Sequence, residues 1–318
     1  MSGIPGGAVP SLGRARDWGL GLVLLIGLIV LVQWSVGWGA LLAPWRDLSA
    51  GTLIWLLALT ALSYVLRAVR VYDLFHGRLA GRFPAVLRLS VLHNAANNLL
   101  PMRTGELVFP WLMGRYFGHG FVDGLTSLAW IRLLDLHFLG LVGLMILYLR
   151  TPSWLWPGLA VVWLGTLGGL IWVRRVAARS QGGTESRRIR RLVKRIAIAA
   201  PGSVSLVLRL YLWTLLSWSF KLFAFATLMQ HFVPLDLWRV LVGVTGAELS
   251  SVLPFHGIAG TGSYELAAVA ALLPFGAEPA TALIGAVNLH LFLLGATLLF
   301  AAMVFALPVG RSRTVRPV

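Results

Sequence analysis

Long apolar blocks alternate with short polar or basic segments along the chain. Six of these blocks have about the length, roughly 20 residues, that an α-helix needs to cross the hydrocarbon core of a bilayer. We therefore predict transmembrane helices at residues 19–43, 51–72, 121–149, 154–173, 203–229 and 280–307. The predicted fold class is an all-α polytopic membrane protein, with one integral-membrane domain over residues 1–318.

Two further apolar segments, residues 84–118 and 237–273, are interrupted in the middle. The first is split at Leu100-Pro101 to Gly105, and the second at Leu253-Pro254 to Gly262, so each contains two pieces too short to cross alone. Irregular backbone at membrane depth is tolerated only where it is buried in protein or lines a cavity. The pattern predicts two re-entrant helical hairpins, whose interruptions we call the first break and the second break.

The basic residues predict the orientation of the chain. One side would hold both termini, the basic flank that ends and follows the second span, Arg115 and a loop at 174–200, in which residues 174–195 carry nine cations. The basic flank comprises Arg67, Arg70, Arg78, Arg82 and Arg88. The other side would hold only Arg46, Arg150 and Arg239. Because cytoplasmic loops are rich in Lys and Arg, we expect both termini to be cytoplasmic. The formal charge of +16 then reflects topology and anionic lipid, and we expect no nucleic-acid partner.

This orientation also predicts an inverted repeat. Residues 14–150 and 154–310 would form two halves with the same layout and opposite orientation, because one hairpin enters from each side. In both halves a Leu-Pro pair is followed by a glycine and a glutamate, Gly105-Glu106 and Gly262 with Glu265. Paired interrupted segments at corresponding positions are typical of a transporter's binding site.

Composition narrows the chemistry. The chain is 58% hydrophobic and only 12% charged, whereas a soluble domain carries about 25% charged residues. It has no cysteine, which excludes disulfides, thiol catalysis and zinc-thiolate sites. We expect no cofactor and no metal, and no nucleotide-binding motif is present in the sequence.

Polar side chains inside the predicted spans and hairpins are the candidate site residues, because an ionisable group costs at least about 2.5–3.5 kcal/mol at the centre of a membrane helix. Arg103 is the leading candidate, since a planar guanidinium beside open helix N-termini suits a phosphate. The predicted substrate-binding set is Asn97, Asn98, Arg103, Glu106, Arg132, Asp135, Lys221, His256 and Glu265.

Structural roles stay open for many of these residues. Arg132 and Asp135 lie three residues apart, and such a pair can lock one span to its neighbour. The asparagines before the first break can satisfy backbone groups freed where a helix ends. Glu106 and Glu265 can cap the short helices that follow the breaks. Asn288 and His290 are typical of packing or inter-helix hydrogen bonds.

Residues 97–106 read Asn-x-Leu-Leu-Pro-x-Arg-x-Gly-Glu, and the second break places Leu253-Pro254 before spaced glycines and Glu265. Here, and in layout over nearly the whole chain, the sequence resembles the flippase-type membrane domain of the lysylphosphatidylglycerol synthase/flippase family. The second break departs from the family's tight Gly-Gly-x-Gly arrangement, because His256 precedes a looser glycine series. The soluble aminoacyl-transferase domain of bifunctional members is absent before Val318, so the resemblance implies lipid translocation without synthesis.

The expected function is a lipid flippase or transporter in the bacterial cytoplasmic membrane, not an enzyme. Its partner would be an anionic lipid, with a phospholipid, an aminoacyl-phospholipid and a polyprenyl-phosphate-linked glycolipid all open. A homo-oligomer and a separate lipid-modifying enzyme stay open as partners. One alternative is an integral-membrane enzyme, because Gly262-Ser263 with His290 loosely resembles the Ser–His dyad of rhomboid proteases. The other is a non-transporting lipid-binding scaffold that acts through the basic loop.

Overall fold

A computed structural model describes residues 15–169, 172, 200–251 and 258–307, with the side chains of 15–21, 24, 78, 102 and 103 left out. Residues 174–199 of the predicted basic loop, the Leu253-Pro254 pair, His256 and both chain ends lie outside the described residues. Arg103 is described by its backbone alone.

All regular secondary structure in the described ranges is helical, and these ranges contain no strand. The α-helices are α1 (Ala15–Ser35), α2 (Trp38–Leu42), α3 (Ala50–Leu74), α4 (His76–Leu79), α5 (Phe83–Leu99), α6 (Val108–Phe117), α7 (Phe121–Arg150), α8 (Leu155–Gly165), α9 (Val204–Phe232), α10 (Leu237–Ser250), α11 (Ser263–Leu272) and α12 (Pro279–Phe305). Short 3-10 helices lie at Ala43–Asp47, Pro101–Leu107, Ile258–Gly260 and Leu273–Phe275. The predicted all-α class is confirmed.

Five helical segments in the described part of the chain are long and apolar enough to cross a membrane: α3, α7, α9, α12 and the stretch Ile258–Phe275. A sixth is added if the pair Leu25–Ser35 and Trp38–Asp47 is counted as one span. That pair is bent by 92°. The bend falls at Gly37, whose φ of 80° is easily adopted only by a residue without a Cβ. The segment predicted at 19–43 is therefore not one straight helix.

The segment predicted as the fourth span begins as expected. Helix α8 starts at Leu155, and apolar helix continues to Gly169, beyond which residues 170 and 171 are outside the described part. Trp163 of α8 stacks on His137 of α7 with ring centroids 5.0 Å apart, and its indole N–H donates to the His137 carbonyl at 2.9 Å. This pairing fixes α8 against the middle of α7.

The first break separates α5 from α6. Pro101 follows the last turn of α5 and cannot donate a backbone N–H, so the helix ends at Leu99 and a 3-10 helix follows. Gly105 of that 3-10 helix lies against the α5 backbone at Ala96 and Asn97, so closely that a Cβ there would collide with main-chain atoms. The glycine in the sequence motif therefore permits a direct backbone contact between the break and α5.

Across the second break, α10 and α11 pack against each other through small residues. A Cβ on Gly246 of α10 would approach Ala271 and the Ala267 carbonyl of α11, so the glycine allows the two helices to lie close together. Both breaks thus connect pairs of packed helices, and both pairs lie beside the long helices of the bundle.

The main hydrophobic core lies among α3, α7, α9, α10, α11 and α12. Phe225 of α9, Leu134 of α7 and Leu289 of α12 are almost completely buried in it. The opposite faces of the same helices expose apolar side chains such as Leu208 and Phe223. An apolar outer surface is what a helix in contact with lipid chains requires.

Candidate functional site

A cavity of about 70 Å³ lies where α3, α5, α7, α9 and α10 meet. Because a water molecule needs roughly 10–15 Å³ of such space, the cavity has room for about five atoms of the size of oxygen. We call it the central cavity. Its polar lining comprises Tyr64, Arg67, Asn94, Asn97, Asn98, Arg132, Asp135, Trp218, Lys221, Glu248 and Ser251.

Arg67 of α3 is the cation of this lining with unused hydrogen-bonding capacity. Its side chain is buried, and its Nε and Nη2 atoms have no hydrogen-bond partner among the described residues. The guanidinium lies over the ring of Trp218, with Cζ 4.8 Å from the ring centroid. A buried guanidinium needs partners for its N–H groups, so this arrangement suits an incoming anion.

Asp135, near the midpoint of α7, connects three helices. Its Oδ1 accepts hydrogen bonds from Arg70 Nη1 of α3 at 2.6 Å and from Trp218 Nε1 of α9 at 2.8 Å. Its Oδ2 accepts from Arg132 Nη1 at 3.3 Å. Asp135 is only 4% exposed, so these donors replace the water that a carboxylate would otherwise require.

Glu106 ties the first break to α7. Its Oε1 accepts from Arg132 Nε at 2.9 Å, and Arg132 Nη2 lies 2.8 Å away. His93 of α5 lies 3.8 Å from the other carboxylate oxygen, and its Nε2 is 3.2 Å from the Asn97 amide nitrogen. The cap residue of α6 is Leu107, which offers no side-chain hydrogen bond, and the capping role expected for Glu106 stays a prediction.

Lys221 and Glu248 form the corresponding pair beside the second break. Lys221 Nζ of α9 donates to Glu248 Oε2 of α10 at 2.6 Å, and both side chains are buried. The Tyr264 hydroxyl of α11 donates to the other oxygen of Glu248 at 3.3 Å. Glu248 therefore connects the helices on the two sides of the second break.

Glu265 and His290 form a buried pair next to the cavity. His290 Nδ1 lies 2.5 Å from Glu265 Oε1, and the Gly262 N–H donates to Glu265 Oε2 at 2.8 Å. The second bond caps the start of α11, as the sequence allowed. His290 Nε2 lies 2.8 Å from the Ala259 carbonyl oxygen, so both ring nitrogens are engaged. The Ser263 hydroxyl donates to the Gly260 carbonyl at 3.3 Å.

Helix α12 supplies polar contacts to three separate segments. Asn288 accepts from the Trp45 indole at 2.6 Å and donates to the Leu41 carbonyl at 2.8 Å. Thr297 accepts from the Asn98 amide of α5 at 2.8 Å. Together with His290 these residues form a polar ladder, which we call the α12 ladder. It links the chain's first bend, the second break and the first break.

An apolar groove of about 660 Å³ opens between α7, α9 and α10. Phe138, Val142, Leu222, Phe223 and Trp238 are among its lining residues. Phe138 and Leu222 are sequence neighbours of Leu139 and Lys221, which face the central cavity. The groove and the cavity therefore share the interface of α7 and α9.

A model of the family described as Lysylphosphatidylglycerol synthase TM region matches residues 18–301. The chain belongs to this family. A search of curated proteins finds no match. Membership of a membrane-protein family, together with several apolar helices of spanning length, identifies a multi-pass membrane protein. The resemblance seen in the sequence is confirmed.

In this member of the lysylphosphatidylglycerol synthase TM family, the described side chains at the site include four cations and three carboxylates: Arg67, Arg70, Arg132 and Lys221 against Glu106, Asp135 and Glu248. Each carboxylate contacts at least one cation. The cations therefore outnumber the carboxylates by one, and one positive charge among these side chains is not balanced. The excess favours an anion in the central cavity.

Most of the residues predicted for the site come together. Asn97, Asn98, Arg132, Asp135 and Lys221 line the central cavity. Glu106 joins this set through Arg132, whereas Glu265 lies behind Tyr264 and His290 with internal partners. The side chain of Arg103 and all of His256 are outside the description, so their predicted roles stay predictions.

Arg67 and Arg70 are the residues that the sequence analysis missed. It placed them in the basic flank after the second span, yet α3 continues to Leu74 and buries both. The sequence feature that could have identified them is their spacing of three residues on an apolar helix, with Ser63 and Tyr64 on the same stretch.

Proposed function

We propose that this chain translocates an anionic or phosphate-containing lipid across the bacterial cytoplasmic membrane. The observation that carries the proposal is Arg67, a buried guanidinium with two unpartnered nitrogens in a cavity of net positive charge. Such a group at membrane depth is costly without a ligand, and a phosphate oxygen satisfies it. The family is consistent with a lipid-related role.

The size of the central cavity supports a headgroup, not a whole lipid. A space of about 70 Å³ admits a phosphate with little else, so the acyl chains would remain at the outer surface. The apolar groove between α7, α9 and α10 supports this arrangement, because it borders the same helix interface and is lined by hydrocarbon side chains. The phosphate and the acyl chains of the lipid would thus be held on opposite sides of the α7–α9 pair.

The two breaks would form the gates. In this proposal α5 and α6 form a re-entrant hairpin from the cytoplasmic side, and α10 and α11 form one from the outside. Six spans and an inverted repeat complete the layout, with both termini cytoplasmic. Support comes from the cavity lining: Asn97 and Asn98 precede the first break, and Glu248 and Ser251 precede the second. One ligand could therefore touch both gates.

Arg103 keeps its proposed role as a phosphate ligand, because its 3-10 helix follows directly on the asparagines of the cavity. Asn97, Asn98 and Arg132 would hold the rest of the headgroup. We propose no enzymatic step: His290, the candidate base, has Glu265 and Ala259 as partners at its two nitrogens.

Reconstitution of the full chain tests the proposal. Vesicles of phosphatidylethanolamine and phosphatidylglycerol would carry a trace of fluorescent phosphatidylglycerol, whose movement is followed by quenching from outside. Arg67→Gln removes the excess charge and the unpartnered donors. A lost hydrogen bond to a charged group corresponds to roughly 1.5–3 kcal/mol, so we expect the rate at low probe concentration to fall about tenfold to a hundredfold.

Arg209→Gln is the matched control. Arg209 lies on α9 and pairs with Asp73, but its side chain is 54% exposed and is not part of the cavity lining. Its rate should equal that of the wild type. A fluorescent glycolipid without phosphate should move slowly with every variant. Equal rates for Arg67→Gln and the wild type would refute the phosphate site.

A further inference from the structure

The hydrogen-bond partners of Glu265 and His290 require a proton to be shared between the two side chains. The Ala259 carbonyl can only accept, so His290 Nε2, at 2.8 Å, must carry a hydrogen. The Gly262 N–H donates to Glu265 Oε2, which leaves Oε1 to face His290 Nδ1 at 2.5 Å. Two bare acceptors would repel at that distance. One proton must therefore lie between Oε1 and Nδ1, and the pair is then neutral overall.

Removal of this proton would break one of the two contacts of His290. A neutral imidazole carries one hydrogen, which can serve the Glu265 carboxylate at Nδ1 or the Ala259 carbonyl at Nε2, but not both. The contact without a hydrogen would then set lone pairs against each other in a site where the two side chains are at most 4% exposed, so water has little access to relieve the repulsion. The proton thus controls whether His290 holds both Glu265 and Ala259.

The backbone next to the pair is strained in a way that responds to the same contact. Ala259 has a φ of 57°, a left-handed conformation that residues with a Cβ rarely adopt. Gly260 and Gly262 also have positive φ values, of 80° and 88°. His290 holds Ala259 in this conformation through its carbonyl. Loss of that bond would let the segment 258–262 relax.

We propose that Glu265 and His290 form a proton-binding site whose occupancy holds residues 258–262 and the start of α11 against α12, so that one proton is coupled to each lipid moved. The inference rests on the proposed lipid translocation and names the ion that drives it. The proton joins Glu265 to His290 in one state and leaves the pair in the other; no covalent bond to carbon forms or breaks.

The titratable groups next to Glu265 and His290 have other hydrogen-bond partners, so we assign the proton to this pair. Tyr264 stacks against His290 with ring centroids 4.6 Å apart, and its hydroxyl donates to Glu248. Glu248 accepts a hydrogen bond from Lys221 Nζ at 2.6 Å. The described side chains of α1 that pack near Ile258–Gly260 are not titratable. The other ionisable side chain that shares a cavity lining with His290 is Lys221, which is paired with Glu248.

A route for the proton is present. A second cavity of about 40 Å³ is lined by His290, Ser263 and Tyr264 on one side. Asn98, Lys221, Glu248 and Ser251 line both this cavity and the central cavity. Water in the two spaces would connect the pair with the site proposed for the phosphate, so proton release and headgroup binding can influence each other.

Glu265→Gln tests the proposal without loss of hydrogen bonds. The amide nitrogen can donate to Nδ1 of neutral His290, and the amide oxygen can still accept from the Gly262 N–H. The variant keeps the closed contact and carries no exchangeable proton there. His290→Asn is the second variant: its amide can donate to the Glu265 carboxylate from the position of Nδ1. Asp236→Asn, at an exposed carboxylate paired with Arg239, is the control.

The vesicles described above would be loaded so that a pH difference of about one unit exists across the membrane. With one proton coupled to one lipid, this gradient shifts the equilibrium distribution of fluorescent phosphatidylglycerol between the leaflets about tenfold. We expect that shift for the wild type and for Asp236→Asn. The Glu265→Gln and His290→Asn variants should show no such shift, provided that gel filtration shows them to be folded.

The possible failures are distinct. A wild type that equilibrates the lipid without any response to the gradient overturns the proton site and leaves the proposed function intact. The same follows if either folded variant keeps the tenfold shift, and His290→Asn alone decides the matter if Glu265→Gln does not fold. A wild type that moves no lipid under any condition refutes the proposed function, and the coupling with it.

Discussion

Arg70 and Asp135 lie 2.6 Å apart in the middle of the helix bundle, and their side chains are 3% and 5% exposed. The two residues are 65 positions apart in sequence and belong to α3 and α7. Asp135 also accepts from Arg132 and from the Trp218 indole, so one carboxylate organises two arginines and a tryptophan. Arg132 also lines the central cavity, the space that we propose for the lipid phosphate.

Asp135→Asn should destabilise the protein strongly. Removing one partner of a buried ion pair costs about 3–5 kcal/mol, because the remaining charge stays buried without compensation. Thermal unfolding in detergent, followed by tryptophan fluorescence, would measure the loss, and Trp218 is a direct reporter. The double variant Arg70→Gln with Asp135→Asn should lose less than the sum of the two single variants. Strict additivity would show that the pair contributes nothing as a pair.

Gly105→Ala should disrupt the first break. The added Cβ would meet the backbone of α5 at Ala96 and Asn97, and main-chain atoms cannot move aside as a flexible side chain can. We expect lower thermal stability and loss of lipid movement. Gly143→Ala is the control, because a Cβ there meets nothing within 4 Å on α7. It should be neutral or slightly stabilising. A Gly105→Ala variant as active as the wild type would contradict the close contact.

Asn288→Ala should weaken the α12 ladder without touching the central cavity. Two hydrogen bonds disappear, one from the Trp45 indole to Asn288 and one from Asn288 to the Leu41 carbonyl, so a donor and an acceptor lose their partners. The expected cost is about 1–3 kcal/mol for each buried group left without a partner. A lower unfolding temperature, with no change in the phosphatidylglycerol concentration that gives half-maximal binding, would agree with this. A changed lipid midpoint would assign Asn288 a part in binding.

Arg103→Ala should slow lipid translocation about tenfold or more if its guanidinium binds phosphate. Arg115→Ala is the control within the same hairpin, because Arg115 packs over the Trp111 ring with its Cζ 5.4 Å from the centroid. Both variants should fold and bind detergent alike. Equal rates for Arg103→Ala and the wild type would remove Arg103 from the site.

The sequence was sufficient for the all-helical class and for the position of the first break. Apolar blocks of spanning length require helices, and Pro101 and Gly105 can be read directly as a helix end and a close approach. The bend at Gly37 was missed because the residues on both sides are apolar, so hydropathy continues through a change of direction of 92°.

The pairing of charges could not be obtained in the same way. Arg132 and Asp135 are close in sequence, and their contact follows from helix geometry. Arg70 with Asp135 and Lys221 with Glu248 depend on how separate helices pack, which one sequence does not specify. Arg67 was assigned to a basic flank because orientation rules count arginines near helix ends, whereas burial depends on where α3 actually stops, at Leu74.

The α12 ladder places the supports of both breaks on one rigid element. His290, which holds the second break, and Thr297, which holds the first through Asn98, are seven residues apart, or about 10 Å along the helix axis. A helix keeps that separation constant. Any axial displacement of α12 must therefore alter both contacts in the same step. The distance between α12 and the bend near Trp45 would then report the state of both gates in a single measurement.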